Sequence, residues 1–348
     1  MPQAVVHPPV DLADLRASSA RIGADPLLIQ GPGGNTSIKQ GEVMWIKASG
    51  TLLSEALDRD IFVEVDLPPL DQAIAREDPR ADQPTEFARN PGGLRPSIET
   101  SLHAVFPHRV VLHVHCVNTL ALAIREDARE RLAERLGGFA WGFVPYAKPG
   151  AKLAAKTQAA RNPATDVIVL GNHGLIVAGE TVAGAVTLLQ SVVSALGATP
   201  AKSERPDAAA LASVAGERFA PAPADHPLHG VALSPARVAA ATGGSLYPDH
   251  VIFCGPGATA LSPGESADTL AARFERRGLS LPPFLLVPGA GALVRNEASA
   301  GAIALTRCLG EVLTRVPEDA RLHYLSDMEN RELIDWDAEK YRQALNAR

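Results

Sequence analysis

Three histidines, His113, His115 and His173, have the residue type and spacing to hold a metal ion. His113 and His115 flank Val114 at the end of an apolar segment that is predicted to be a buried strand. Residues two apart in a strand point to the same side, so both imidazoles can reach one cation. Taken alone, such a pair is more often an ordinary pair of core or surface histidines than a pair of ligands.

His173 supplies the third imidazole. It lies in the segment Asn172-His173-Gly174, directly after the predicted buried strand at residues 167–170, and the glycine allows a sharp turn there. On its own, His173 would be interpreted as a strand-end residue that bonds to the backbone. Together with the other two histidines it gives three nitrogen ligands and an open position, which is typical of a catalytic zinc site.

Glu99 is the candidate acid or base. It lies near the start of a predicted helix, in Pro96-Ser97-Ile98-Glu99, shortly before the strand that carries His113. A carboxylate beside a divalent cation can move a proton to or from a carbon next to a carbonyl group. The alternative is a structural glutamate at a helix start, stabilised by the helix dipole.

Three short segments provide donors for an anionic group, as backbone N–H groups or hydroxyls at turns and helix starts. These segments are Gly34-Asn35, Ser49-Gly50 and Ser97. The glycines around Asn35 could equally well only begin a hairpin. The loop is not a nucleotide-binding Walker loop, because no Gly-Lys-Ser/Thr follows it. Gly289-Ala290-Gly291 lacks the third glycine of a dinucleotide fingerprint.

The elements that must position these side chains can be predicted from apolar periodicity and turn residues. Helices are predicted at residues 11–22, 97–106, 118–136 and 180–196, and a hairpin at 36–39 and 43–47. The composition shifts to Pro, Ala, Ser and charged residues between Ala201 and Pro227. We therefore predict a first domain at residues 1–200, a linker at 201–227 and a smaller α/β domain at 228–348.

The second domain repeats part of the pattern of the first. Residues 167–196 and 284–313 each contain an apolar strand, a glycine turn, a return strand, a glutamate and an apolar helix. Residues 107–112 and 248–253 are also alike, which would align His113 with Cys254 and His173 with Ala290. We interpret the second domain as a degenerate repeat that lacks the metal ligands.

Composition limits the other functions. The formal net charge is −6, without a basic tract, which argues against nucleic acid and anionic membranes as partners. The three cysteines are scattered, and Met1–Pro9 has no secretory signal, so we predict a cytoplasmic protein.

Four motifs in order, GGNTSIK, KASG, PSIETSLHAVFPHRVVLHVHC and GNHGLIVAG, resemble the class II aldolase and adducin family over the first 200 residues. The sequence around Glu99 and His113 is similar to the aldolase portion of rhamnulose-1-phosphate aldolase proteins. Long members of this group often continue into a dehydrogenase domain, and we expect none in this chain. The resemblance implies a three-layer α/β/α fold with a mainly antiparallel sheet.

The resemblance also implies roles for the candidate residues. His113, His115 and His173 would bind Zn²⁺, or another divalent metal such as Mn²⁺ or Co²⁺, and Glu99 would be the acid/base. Gly34, Asn35, Ser49, Gly50 and Ser97 would bind a substrate phosphate. Fuculose-1-phosphate aldolases have a second serine where this chain has Ile98. Tyr146 is the candidate for the tyrosine that a neighbouring subunit supplies in the family, which forms cyclic tetramers.

The predicted reaction is cleavage of a ketose or ketose 1-phosphate to dihydroxyacetone, or its phosphate, and an aldehyde. The metal would stabilise the enediolate formed by the cleavage. Alternatives are a sugar-phosphate epimerase or decarboxylase of the same family, or a non-catalytic scaffold like adducin. A Schiff-base aldolase would need a desolvated lysine. Lys47, Lys148, Lys152 and Lys156 are present, but none of them lies in the interior of an obviously apolar strand.

Overall fold

The computed structural model describes residues 8–90, 92–202 and 204–346. Residues 1–7 lie outside the described residues. They are most of the segment Met1–Pro9, which is predicted to lack a secretory signal. The chain forms two compact units: residues 1–119 with 129–196, and residues 120–128 with 197–348. The first unit contains every candidate site residue.

A seven-stranded sheet is the centre of the first unit, with the strand order β3-β2-β1-β4-β7-β6-β5. Only β5 and β6 run parallel, so the prediction of a mainly antiparallel sheet is confirmed. The strands are β1 Asn35–Gln40, β2 Val43–Lys47, β3 Phe62–Asp66, β4 Val110–Val114, β5 Trp141–Val144, β6 Val167–Leu170 and β7 Gly174–Gly179.

Helices cover both faces of this sheet, which gives the three layers expected from the sequence. One face packs against α1 and α7, and the other carries α2, α3 and α6. The helices of this part of the chain are α1 Leu12–Gly23, α2 Leu67–Ala75, α3 Thr100–Ala104, α4 Val117–Ala123, α5 Ala128–Leu136, α6 Ala151–Ala160 and α7 Val182–Ala195.

Strand β4 is apolar except at His113 because it lies in the middle of the sheet, buried on both faces. Val111 packs on the side of α3 and α6 in one core cluster with Phe106 and Ile176. His113 follows two positions later and therefore points to the same side. A polar side chain inside such a core requires a partner, which the neighbouring strands supply.

Two predicted helices differ in the structure. Residues 118–136 form α4 and α5 instead of one helix, and Arg125 and Asp127 pair at the break at 2.7 Å. Helix α3 begins at Thr100, so Ser97 and Glu99 precede the helix instead of belonging to it. The hydroxyl of Ser97 accepts a bond from the Glu99 N–H group, which satisfies that backbone donor before the helix begins.

The second unit is smaller and contains a three-stranded sheet. Its elements are α8 Ala208–Val214, β8 Phe219–Pro221, α9 Leu228–Ala232, α10 Pro235–Thr242, α11 Pro248–Cys254, α12 Ala267–Arg276, β9 Phe284–Val287, β10 Gly291–Arg295, α13 Ala300–Leu313, α14 Asp327–Ile334 and α15 Asp337–Leu345. The predicted linker at 201–227 is wrong, because α8 and β8 lie inside it. Leu211 and Phe219 are buried in the core of this unit, which explains why the segment folds.

One part of the predicted repeat agrees with the structure and another part does not. Residues 248–253, which were aligned with strand β4, form helix α11, so that alignment is incorrect. The strand order β8-β10-β9, all antiparallel, nevertheless matches β4-β7-β6 of the first unit. The short strand β8 therefore takes the position that β4 has in the first unit. A common origin of the two units stays a prediction.

None of the described helices is both long and apolar enough to cross a lipid bilayer.

Candidate metal centre

The register of three neighbouring strands brings the histidines together. His113 of β4 lies opposite Ile176 of β7 on one side and opposite Asn35 of β1 on the other. His115 follows β4 directly, and His173 lies in the turn between β6 and β7. The turn and the end of β4 meet because β4 and β7 are paired.

Two backbone features shape the turn that carries His173. Asn172 has a φ angle of 55°, a left-handed conformation that asparagine tolerates better than most residues. Gly174 must lack a side chain, since a Cβ there would lie 2.5 Å from the carbonyl oxygen of Val114. The absence of this one carbon therefore lets the turn approach the strand that carries the other two histidines.

The three imidazoles form a compact cluster. Their ring centroids are 4.9, 5.0 and 5.1 Å apart, and the rings are at most 6% exposed. The Nε2 atoms of His113 and His115 are 3.1 Å apart. Two nitrogens that each lie about 2.0–2.1 Å from a tetrahedral zinc are about 3.3 Å apart, so this spacing suits a shared cation.

The backbone fixes the orientation of one ring. His113 Nδ1 lies 3.1 Å from the carbonyl oxygen of Leu175, which can only accept a hydrogen bond. The proton of neutral His113 is therefore on Nδ1, and the lone pair of Nε2 points into the cluster. A histidine that binds a metal through one ring nitrogen usually donates the N–H of the other to a carboxylate, a backbone carbonyl or water. The carbonyl of Leu175 fits this pattern.

Glu99 completes the cluster. Its two carboxylate oxygens lie 3.4 Å from His113 Nε2 and 3.3 Å from His173 Nε2. One ligand atom from each of the four side chains lies within 4.8 Å of all the others. Among the described residues this is the one such group of His, Cys, Asp and Glu, so the described part of the second unit has none.

The pocket keeps Glu99 ionised. Burial pushes its pKa upwards, but His113, His173 and His115, with a hydrogen bond from Asn35, lower the pKa of Glu99 to about 2. Asn35 Nδ2 donates to Glu99 Oε2 at 2.8 Å, while Oε1 accepts no hydrogen bond from the described residues. A buried carboxylate with an unused oxygen beside three imidazoles fits a divalent cation in both charge and donor type.

Of the residues predicted to bind phosphate, Asn35 and Ser97 are in direct contact with Glu99. Ser97 and Ser49 already use their backbone N–H groups, which donate to the carbonyl oxygens of Lys47 and Arg95. Both N–H groups of the Asn35 amide point to protein atoms, Ser97 Oγ at 3.1 Å and Glu99 Oε2. The hydroxyl of Ser49 is buried and makes no hydrogen bond to the described residues.

The two glycines of this set lie in left-handed conformations. Gly34 has a φ of 60°, and a Cβ there would come within 2.2 Å of a carbon of Ile29. Gly50 has a φ of 77° and closes the turn after Ser49. The hydroxyls of Ser49 and Ser97 are therefore the clearest donors in the predicted anion site.

Lys47 is a residue whose position the sequence analysis did not recognise. It is the last residue of β2, is 2% exposed, and donates from Nζ to the carbonyl oxygen of Pro32 at 3.1 Å. Lys47 therefore lies at the end of its strand and not in the strand interior, but it is buried like an interior residue. A single charge at the end of the apolar segment Val43–Ile46 was the signal that could have indicated it.

His103 was also missed. It is fully buried on α3 and lies in hydrogen-bonding contact with Ser37 and Asn35. Its spacing of four residues from Glu99 was the available signal. Tyr146 is the tyrosine that the sequence analysis names as a candidate. Its backbone nitrogen lies near Gly171, at the start of the turn that carries His173. The role of Tyr146 as a proton donor stays a prediction.

Comparison with known proteins gives one family. The model of the class II aldolase and adducin N-terminal domain matches residues 15–198. An uncharacterized oxidoreductase of Bacillus subtilis (strain 168), YuxG, is 29% identical over 191 residues, which are 50% of this chain. The match spans only 27% of that relative's length.

Solved structures resemble the same part of the chain. The N-terminal class II aldolase domain of a conserved protein from Thermoplasma acidophilum is 28% identical, with a TM-score of 0.49, over 56% of this chain and 96% of that one. L-fuculose-1-phosphate aldolase from Thermus thermophilus is 17% identical, with a TM-score of 0.37, over 53% of this chain and 92% of that one.

Proposed function

The chain belongs to the class II aldolase and adducin family, and from that premise we propose that it is a metal-dependent aldolase, a carbon–carbon lyase. Its substrate would be a ketose or ketose 1-phosphate, and its products dihydroxyacetone, or its phosphate, and an aldehyde. The observation that carries the proposal is the buried group of His113, His115, His173 and Glu99 within 4.8 Å.

In this proposal the three histidines bind the metal and Glu99 handles the proton. Three imidazoles suit zinc best, with manganese and cobalt as alternatives. When bound, a divalent cation acts as a Lewis acid that stabilises the negative charge that develops on the substrate oxygens during cleavage. Burial of all four side chains keeps water away and strengthens such electrostatic effects.

Glu99 is the base for the carbon next to the substrate carbonyl. The positive charge beside it and the hydrogen bond from Asn35 lower its pKa, so the carboxylate is ionised at neutral pH. In the direction of bond formation it removes the proton from that carbon. In the direction of cleavage the substrate hydroxyl gives up its proton as the carbon–carbon bond breaks, the carboxylate takes up a proton, and Glu99 delivers it to that carbon. Asn35 holds Glu99 Oε2, which leaves Oε1 as the oxygen that accepts the proton.

The anion site would hold a substrate phosphate at the other end. Lys47 contributes a buried amine next to the carbonyl of Pro32, two residues before Gly34, and Ser49 and Ser97 contribute hydroxyl donors. Gly34, Asn35 and Gly50 shape the loops around them. Ile98 in place of a second serine removes one donor, so we expect weaker phosphate binding than a two-serine site would give.

An assay on purified, zinc-loaded protein tests the proposal. It uses a panel of ketose 1-phosphates and free ketoses, with separate detection of the aldehyde and of dihydroxyacetone or its phosphate. Stoichiometric release of both products supports an aldolase. Conversion of the sugar to an isomer with its carbon skeleton intact would indicate an epimerase, and release of carbon dioxide a decarboxylase.

Metal analysis of the same preparation addresses the non-catalytic alternative. A scaffold without activity has no need to keep three imidazoles and a carboxylate in one buried pocket. Protein that binds no divalent metal and converts none of the sugars would support the scaffold. The cytoplasmic location and a homo-oligomeric, tetrameric assembly stay predictions.

A further inference from the structure

His103 lies behind the candidate site, one helical turn after Glu99. It is completely buried, and its two ring nitrogens each contact a different side chain of strand β1. Nδ1 lies 2.7 Å from the hydroxyl oxygen of Ser37, and Nε2 lies in close contact with Oδ1 of Asn35. No part of the proposed chemistry uses this ring directly.

The donors and acceptors in this arrangement follow from the atoms. The Asn35 amide group donates from Nδ2 to Glu99 Oε2 and Ser97 Oγ, so its Oδ1 faces His103 as an acceptor. His103 Nε2 must therefore carry the proton. Burial lowers the pKa of His103 to about 3, so the ring is neutral and its Nδ1 accepts the bond from the Ser37 hydroxyl.

The result is a chain of hydrogen bonds that runs in one direction. Ser37 donates to His103, His103 donates to Asn35, and Asn35 donates to Glu99 and Ser97. Ser97 Oγ also accepts the N–H of Glu99 at 3.2 Å. Because Ser97 Oγ accepts these two bonds, its own hydroxyl hydrogen can still be donated to a third group.

We propose that His103 is a positioning residue that fixes the orientation of the Asn35 amide and thereby places the Glu99 carboxylate and the Ser97 hydroxyl for the reaction. An asparagine amide is nearly symmetric in shape, so only its partners decide which end faces the carboxylate. A rotated amide would place Oδ1 against Glu99 Oε2, and two acceptors would then repel each other. His103 prevents this rotation because its N–H group requires an oxygen.

Three substitutions separate this role from simple packing. His103→Gln retains a side-chain N–H group for Asn35 Oδ1, whereas His103→Phe retains the ring volume without any donor. Ser37→Ala is the milder change and removes the donor that holds the tautomer of His103. If His103→Phe does not fold, Ser37→Ala and His103→Gln still test the proposal.

The first measurement requires no substrate. In ¹⁵N-labelled protein, the side-chain amide signals of Asn35 can be assigned by their loss in Asn35→Ala. We expect these signals to shift in His103→Phe and Ser37→Ala and to stay near their original positions in His103→Gln. In the parent protein, the ring nitrogen shifts of His103 should be those of a neutral imidazole protonated at Nε2. Unchanged Asn35 signals in His103→Phe and Ser37→Ala, or a His103 protonated at Nδ1, would overturn the proposal.

The second measurement rests on the proposed aldolase function. Loss of one hydrogen bond to a charged group predicts that kcat for a free ketose falls by about 10- to 100-fold in His103→Phe, with metal content little changed. The double variant His103→Phe/Asn35→Ala should be no slower than Asn35→Ala alone, because His103 acts through Asn35. Additive losses would contradict the proposal. An absence of aldolase activity in the parent protein would count against the function alone, since the amide signals are measured without it.

Discussion

Asn35 and His113 lie directly opposite each other in the paired strands β1 and β4. Asn35, which donates a hydrogen bond to Glu99, is therefore a cross-strand neighbour of His113, a candidate metal ligand. In the sequence, 78 positions separate Asn35 from His113. This pairing joins Glu99, the proposed acid/base, to the histidine cluster through Asn35 and the sheet.

Removal of one imidazole should abolish metal binding. His113→Ala leaves two histidines and Glu99, which is too few nitrogen ligands for tight zinc binding. We expect bound zinc, measured by elemental analysis after gel filtration, to fall from about one ion per chain to a small fraction. His108→Ala is the matched control, because His108 lies outside the cluster and five residues earlier. Full zinc content in His113→Ala would contradict the assignment.

Glu99→Gln should keep the metal and lose most of the turnover. The amide preserves the size of the side chain but cannot take a proton, and general acid–base groups contribute about 10²- to 10⁴-fold. We expect kcat to fall by that factor while zinc content stays the same. A Glu99→Gln protein with the activity of the parent would exclude Glu99 as the acid/base.

Gly174→Ala tests the close approach of the turn to β4. The added Cβ would lie 2.5 Å from the Val114 carbonyl oxygen and 3.3 Å from carbons of His113 and His115. We expect a loss of about 1–3 kcal/mol in the free energy of unfolding, as for other overpacked sites, and weaker zinc binding. Gly138→Ala is the control, since its added Cβ would meet no atom within 4 Å. Equal effects of the two substitutions would contradict this explanation.

Lys47 should matter most for phosphorylated substrates. Lys47→Met keeps the length of the buried side chain and removes its charge. If Lys47 faces a substrate phosphate, KM for a ketose 1-phosphate should rise by at least about 10-fold, as expected for loss of a charged hydrogen bond. The free ketose is the internal control, and its KM should change little. A similar change for both sugars would assign Lys47 a structural role.

His250 should make the protein sensitive to mild acid. Burial lowers the pKa of His250 to about 4, whereas an unfolded chain takes up the proton near pH 6.5. The unfolded state therefore binds more protons between these values, and stability that is complete above pH 6.5 is lost as the pH falls towards 4. We expect this residue to account for about 2 kcal/mol of the difference in unfolding free energy between pH 7 and pH 5.

Urea unfolding of the parent and of His250→Gln measures this contribution. Glutamine can keep the hydrogen bond that His250 Nε2 gives to the Gly257 carbonyl at 3.2 Å, but it does not titrate. The decrease in stability from pH 7 to pH 5 should therefore be smaller in His250→Gln. An identical decrease in both proteins would assign the acid sensitivity to other groups, such as His226, whose pKa is also about 4.

The sequence was sufficient for the parts of the site that depend on local geometry. The side shared by His113 and His115 follows from strand periodicity, and the turn at His173 follows from Gly174. The distance between them could not be predicted from spacing, because it depends on how β4 and β7 pair. That the three histidines meet at one metal is implied by the resemblance to the class II aldolase and adducin family.

Other features depend on tertiary contacts that local patterns do not encode. Residues 248–253 have an apolar run that suits a strand or a buried helix, and Pro248 in the first turn begins a helix. The segment 201–227 has the composition of a linker, yet Leu211 and Phe219 find a core to enter. The apolar segment Val43–Ile46 indicates that Lys47 ends a buried strand, but its partner, the carbonyl of Pro32, belongs to another loop and could not be predicted.

The pairing of β7 with β4 has a consequence for how the ion would leave. The carbonyl of Leu175 orients His113, Gly174 touches the end of β4, and His173 lies just before both. Detachment of the β6–β7 hairpin would thus remove one ligand and release the ring of another in the same movement. Exchange of the ion with the surroundings should therefore be as slow as hydrogen exchange of the hairpin amides, and both rates should change together.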